Sequence, residues 1–179
     1  MGLDAVIERQ HKYEAVGFRF AWKNFRYECS GGGETAKGVI DLRRLPFEMI
    51  ETYDRQCFPA SRSTFLRAWI NQPDSPALGL LNDGRLAGYG VIRPCVKGFK
   101  IGPLFADNAQ VAEILYTSLA SHATNSKVYL DTPESNPCAV ELACRHDMNV
   151  VFETARMYTR GSPSLAHERI FGITSFELG

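Results

Sequence analysis

A few side chains in this sequence stand where chemistry is possible. Tyr13 lies four residues ahead of Gly17-Phe18, at the end of a run with helical periodicity. A phenol, of ordinary pKa about 10, can donate a proton when a helix end holds it in place. Gly102-Pro103-Leu104-Phe105-Ala106-Asp107-Asn108 falls between a predicted strand and a predicted helix. Backbone N–H groups at such a junction can receive an anion, but here Pro103 removes a donor and Asp107 adds a negative charge. Glu51 and Asp54 share a predicted helix and read as a solvated face or, second, as substrate contacts. Cys57 has no neighbouring histidine to activate it, and His122, His146 and His167 share no ligand or triad spacing. No metal site follows from these residues.

The elements that must position these groups can be read from periodicity and turn residues. Asp4 to Val16 reads as a helix with Asp4 as N-cap and Gly17 as its stop. Residues 18–28 read as a strand in which Phe18, Phe20 and Trp22 alternate with polar or small neighbours, with a phase slip near Lys23 and Asn24 that predicts a bulge. Ser30-Gly31-Gly32-Gly33 is the one linker-like stretch; it lacks the Lys-Ser/Thr of a phosphate loop and marks a boundary between residues 1–36 and 37–179. Beyond it come a strand at 39–42, helices from Pro46 and from Ser63, and a hairpin about Asn82-Asp83-Gly84. A strand at 99–105 follows, bulged at Gly102-Pro103, and then a helix capped by Asp107 or Asn108. A strand ending at Asp131, a helix from Asn136 to His146, and strands at 150–159 and 170–178 close the chain. The fold class is α/β (α+β), with the order β-α-α-β-β-β-α-β-α-β-β from residue 37, preceded by an extra helix and strand.

That order, with Tyr13 and Gly17-Phe18, resembles the GNAT superfamily of acyl-CoA-dependent N-acetyltransferases. Members commonly write the last helix as Asn-x-x-Ala-x-x-Leu-Tyr-x-x-x-Gly-Phe, with the Asn near the cofactor and the Tyr protonating the thiolate of coenzyme A. Two copies of this helix are present. The first keeps Tyr13, Gly17 and Phe18; the second keeps Asn136, Ala139 and Leu142 but has Ala143 for the Tyr and Asp147-Met148 for Gly-Phe. The resemblance therefore implies the C-terminal part of a tandem protein: a helix-strand remnant of a first module at 1–36 and a complete module at 37–179. It implies Tyr13 as the catalytic general acid, Asn136 as a cofactor contact, and the backbone at Gly102 on the strand whose N–H groups polarise the thioester carbonyl. The family's diphosphate turn, Gln/Arg-x-x-Gly-x-Gly/Ala, is missing from 102–108, so the cofactor site of the second module is degraded. Spacing alone also suits Tyr13 as a packed helix tyrosine with its hydroxyl at the rim.

Lys and Arg equal Asp and Glu at 20 each, so no net field would draw in nucleic acid or an anionic membrane. The five cysteines are odd in number and form no Cys-x-x-Cys, which argues against a disulfide framework and a zinc site and favours the cytoplasm. No apolar run approaches the roughly 18 residues of a membrane span, and no targeting segment is expected. The sequence thus leads to an acetyl-CoA-dependent transfer to a small-molecule or protein amine, or alternatively to a non-catalytic GNAT-like module that binds a ligand or partner. The aromatic strand 18–28 needs a partner edge, within the chain or across a homodimer axis.

Overall fold

The computed structural model describes residues 1–178. In chain order the elements are β1 (Gly2–Val6), α1 (Gln10–Ala15), β2 (Arg19–Ser30), β3 (Val39–Asp41), α2 (Phe47–Cys57), α3 (Ser63–Ile70) and β4 (Ala77–Asn82). They continue with β5 (Arg85–Pro94), β6 (Phe99–Ala106), α4 (Ala109–Ala120), β7 (Lys127–Pro133), α5 (Pro137–Arg145), β8 (Asn149–Tyr158) and β9 (Ile170–Gly172). From β3 onward the eleven elements follow the expected order. Among the described residues the nine named strands join one sheet, ordered β1-β8-β2-β7-β6-β5-β4-β3 with β9 on β6, and of these strand pairs only β6 and β7 run parallel.

Local chemistry fixes several joints. Asp83 and Gly84 both have positive φ (49° and 75°), as a two-residue type I′ hairpin requires. Asn108 caps α4 by accepting from Val111 N at 3.0 Å, and Asn136 caps α5 with Pro137 in its first turn. One apolar layer lies under α4 and α5, centred on Leu104, Leu115, Leu119, Leu130 and Leu142. A second lies under α2 and α3, around Ile50, Leu66, Tyr89, Val91 and Phe105. Among the described residues no helix is long and apolar enough to cross a membrane.

The first twenty residues depart from expectation. Asp4 caps no helix; it sits in β1, opposite Arg156 of β8, and only six residues form α1. An isolated helix that short is unstable in water, and pairing with β8 overrides the local helical pattern. β2 is bulged on both sides of the expected slip, between Phe20 and Trp22 and again between Arg26 and Tyr27. Residues 24–28 pair with β7 on one edge and β8 on the other, so that part of the strand offers no edge to a second copy. The final strand is shorter than expected, ending at Gly172.

The β1-α1-β2 and β7-α5-β8 units are interleaved about a pseudo-twofold axis. β8 lies between β1 and β2, while β2 lies between β7 and β8. Asn24 faces Thr154 near the axis, and the pairs Trp22↔Arg156 and Arg26↔Phe152 exchange across it. Leu3-Asp4 and Leu130-Asp131 are counterparts, and each aspartate is salt-bridged to the arginine opposite it, Arg156 and Arg26. Gly17 and Asp147, at matching positions after their helices, are both left-handed (φ 93° and 49°).

Candidate functional site

The strand expected to polarise a thioester is β6. Its pairing with β5 jumps from Gly90↔Leu104 to Ile92↔Ile101, so Gly102-Pro103, joined by a cis peptide, forms the expected bulge. Past Ile101, β6 leaves β7, and β9 enters the gap with Leu104↔Gly172 and Phe105↔Ile170. The next residues bind the other wall: Ile173 N donates to Asp131 O at 2.9 Å, and Thr132 Oγ1 donates to Phe171 O at 3.2 Å. The opening is therefore filled by the chain itself.

Gly102 and Asn136, the two expected cofactor contacts, lie on this filling. Gly102 O accepts from Trp69 Nε1 at 2.9 Å, and a Cβ built on Gly102 would fall 2.5 Å from Thr174 O. Asn136 Nδ2 donates to Glu168 O and Ile170 O at 3.1 Å each, while its Oδ1 accepts from Ala139 N at 3.4 Å. Its amide is thus spent on holding β9 in place. Asp107, in the expected diphosphate position, accepts from Tyr53 Oη at 2.8 Å and gives its own N–H to Ala87 O.

Tyr13 stands elsewhere. Its ring meets Phe18 edge-on at 5.9 Å and packs with Leu3 and Ile7 on Ala5, Ala155 and Met157. That is the face of β8 opposite the one bearing Arg156, because successive strand residues alternate. Beside it runs β1, an edge strand whose outer side carries no partner among the described residues. Its counterpart β7 carries β6 on the matching side. Ala143, the counterpart of Tyr13, is fully buried.

On the other face, Asp4 is a buried hub. It accepts from Arg156 Nη1 at 2.6 Å, Asn24 Nδ2 at 2.5 Å and Thr154 Oγ1 at 3.3 Å. Burial opposes the charge of Arg156, but Asp4 and Tyr158 more than offset it and hold the guanidinium above its ordinary pKa. Above Asp4, Thr154 and Arg156 opens a cleft of about 840 Å³, walled by Phe58, Pro59, Phe152, Tyr158 and Phe176. Arg156, Tyr158, Phe58 and Pro59 also border a small pocket of about 40 Å³ that reaches Trp22, Cys57 and His167. The twin hub is closed: Asp131 accepts from Arg26 Nε at 2.7 Å and Nη2 at 2.9 Å and from Lys100, and Phe176 lies 4.5 Å over Arg26.

Three further side chains are fixed by their partners. Asp54, expected on a solvated face, is 1% exposed. It accepts from Arg62 at 2.8 and 2.6 Å and from Tyr89 Oη at 2.5 Å, so it is a structural anchor. Burial, helped by the charge of Asp54, pushes the Cys57 thiol up to about 12. Iodoacetamide on the native protein should label the exposed Cys138 and Cys144 and leave Cys57 unmodified, as read by peptide mass spectrometry. His167 sits edge-on to Trp22 at 4.6 Å, with Ser135 Oγ 3.1 Å from its Nδ1, and burial lowers its pKa against the opposing charge of Glu168.

The unfolded chain protonates the His167 imidazole before the folded chain does. Stability is therefore lost as pH falls through the ordinary histidine value, and the loss ends below the folded pKa. Urea unfolding at about pH 7 and about pH 5 should show a smaller drop for His167→Gln than for wild type. Equal drops would remove this account of the imidazole.

The sequence profile described as an acetyltransferase (GNAT) domain matches residues 50–172. A holothin acyltransferase from Pseudoalteromonas sp. (strain SANK 73390) is 22% identical over 182 residues, taking in 100% of this chain and 62% of that protein. YitH of Bacillus subtilis (strain 168), an uncharacterized N-acetyltransferase, is 28% identical over 123 residues, 66% of this chain and 44% of its own length. A crystal structure from Pyrococcus horikoshii, of proposed acetyltransferase activity, superposes with a TM-score of 0.84 at 24% identity, over 99% of this chain and 59% of its own. A GCN5-related N-acetyltransferase from Sphaerobacter thermophilus gives 0.60 at 14% identity, over 92% and 61%. At these identities the two structures speak to the fold alone. The chain spans 44% to 62% of the length of these four proteins.

Proposed function

The chain belongs to the GNAT acetyltransferase family, and from that premise we propose that it serves acyl-CoA-dependent acylation of an amine, with Tyr13 as general acid. The amine nitrogen attacks the thioester carbonyl directly, the C–N bond forms, and the C–S bond breaks without a covalent enzyme intermediate. Sulfur departs as a thiolate of ordinary pKa about 8.5 and takes the phenol proton of Tyr13. The proton shed by nitrogen returns to the phenolate through solvent.

One observation carries this reading: β8 completes the sheet of the unit that holds Tyr13, leaving the outer side of β1 open where the twin unit carries β6. Acetyl-CoA is placed along that open side. Its diphosphate cradle is placed in the part of the longer relatives that this chain does not span. Residues 37–178, whose own opening is filled by β9, then act as a non-catalytic module that braces the catalytic one. A relative named for acylating holothin favours a small-molecule acceptor over a protein amine, and the five free thiols suit the cytoplasm.

The test is a thermal-shift titration with acetyl-CoA followed by thiol release over a panel of small amines, on this chain and on a protein of the relatives' full span. Saturable stabilisation with turnover in the longer protein supports transfer. A flat response in both leaves only the non-catalytic module.

A further inference from the structure

The two interleaved units present the same device twice, a buried aspartate gripping an arginine on the α2–α3 side of the sheet, and the copies differ in what covers them. Over Arg26 the cover is an aromatic ring of the chain's own terminus: Phe176 lies 4.5 Å from the guanidinium and also within 5.3 Å of Lys100 Nζ. Arg156 is met instead by Tyr158, whose ring lies 5.0 Å from the guanidinium, and the cleft of about 840 Å³ opens beside it. That volume is in the range that holds a small organic ligand, roughly 300–1,000 Å³.

The open copy has features suited to a planar guest. Arg156 Nε donates to Tyr158 Oη at 3.0 Å and Nη1 to Asp4 at 2.6 Å, while Nη2 has no hydrogen-bond acceptor among the described residues. Asp4, whose side chain is 0% exposed, pins the guanidinium plane from below. Tyr158 lies 5.0 Å from the guanidinium, and Phe58, Phe152 and Phe176 supply further apolar wall. Glu177 lies at the rim, its pKa lowered by Ser175 and by the charges of Lys100 and Arg26 against the cost of burial, so a carboxylate is available to a cationic amine. Guanidinium stacking on a ring is favoured when both are partly desolvated, and it needs the flat fork that lysine lacks.

We infer that the cleft above Arg156 binds a planar aromatic amine, its ring stacked on the guanidinium in the way Phe176 covers Arg26. That the bound amine is the acyl acceptor rests on the transfer reading above; that the cleft selects an aromatic ring does not.

The experiment is isothermal titration of the chain, without acyl-CoA, with naphthylethylamine and with its saturated counterpart decalinylethylamine. Wild type should bind the aromatic amine at least tenfold more tightly. Arg156→Lys keeps the charge beside Asp4 and should abolish that preference, while Arg26→Lys, at the closed twin, should leave it intact. Should Arg156→Lys fail to fold by circular dichroism, Phe58→Leu carries the test, with an expected several-fold loss confined to the aromatic ligand. No saturable binding to wild type, equal binding of the two amines, or equal effects of the Arg156 and Arg26 variants would overturn the inference. Aromatic-selective binding without turnover in the longer protein would overturn the transfer reading alone.

Discussion

Asp131→Ala is expected to lower the unfolding free energy by about 3–5 kcal/mol, the usual cost of leaving a buried charge without its partner. The Asp131 side chain is 0% exposed and neutralises both Arg26, 27% exposed, and Lys100, 7% exposed. Burial already lowers the pKa of Lys100, and the charge of Asp131 is the main force opposing that shift. Without it, Lys100 must shed its proton or keep an uncompensated charge under the Phe176 ring. A typical domain has about 5–15 kcal/mol in total, so the melting temperature should fall by roughly 6–20 °C, read by calorimetry or urea unfolding. Asp4→Ala should cost less, because it strands one cation, Arg156, whereas Asp131 neutralises the buried Lys100 as well as Arg26. A loss under about 1 kcal/mol at Asp131 would mean that the triad is not coupled as its geometry requires.

Tyr13→Phe is expected to reduce kcat about 10²- to 10⁴-fold in a protein of the relatives' full span, with little change in KM for acetyl-CoA. The Tyr13 hydroxyl makes no hydrogen bond among the described residues, while its ring packs on Phe18, so phenylalanine preserves the contacts and removes only the proton. The deficit should shrink with an aryl thioester, whose more acidic thiol leaves without help. A purely structural tyrosine would show the same small effect with both donors. Activity within about threefold of wild type on acetyl-CoA would remove Tyr13 from the chemistry.

Much of the fold was legible because its cues are local. Asp83-Gly84 set a hairpin, Asn108 and Asn136-Pro137 set two helix starts, and Gly102-Pro103 gave away a bulge. What stayed hidden depends on partners far along the chain. β1 reads as helix until β8 is laid beside it, and Asp54 reads as solvated until Arg62 and Tyr89 close over it. The degraded diphosphate turn was visible in Pro103 and Asp107, yet nothing local indicated that β9 would occupy the gap. The cleft escaped notice for the same reason, since its floor comes from β1 and β8, at opposite ends of the sequence. One signal was available and missed: Leu3-Asp4 repeats as Leu130-Asp131, each followed by a helix and a strand whose arginine binds the aspartate of the other unit.

The interleaving sets the order in which this polypeptide can mature. Gly2 pairs with Tyr158, and β2 has one of its two neighbours only once β8 exists. During synthesis at about 5–20 residues per second, β1 and β2 must wait, with aromatic strand edges bare, until β8 has been made. Such high contact order slows folding and lengthens the interval in which a chaperone, or a neighbouring nascent chain, can capture those edges.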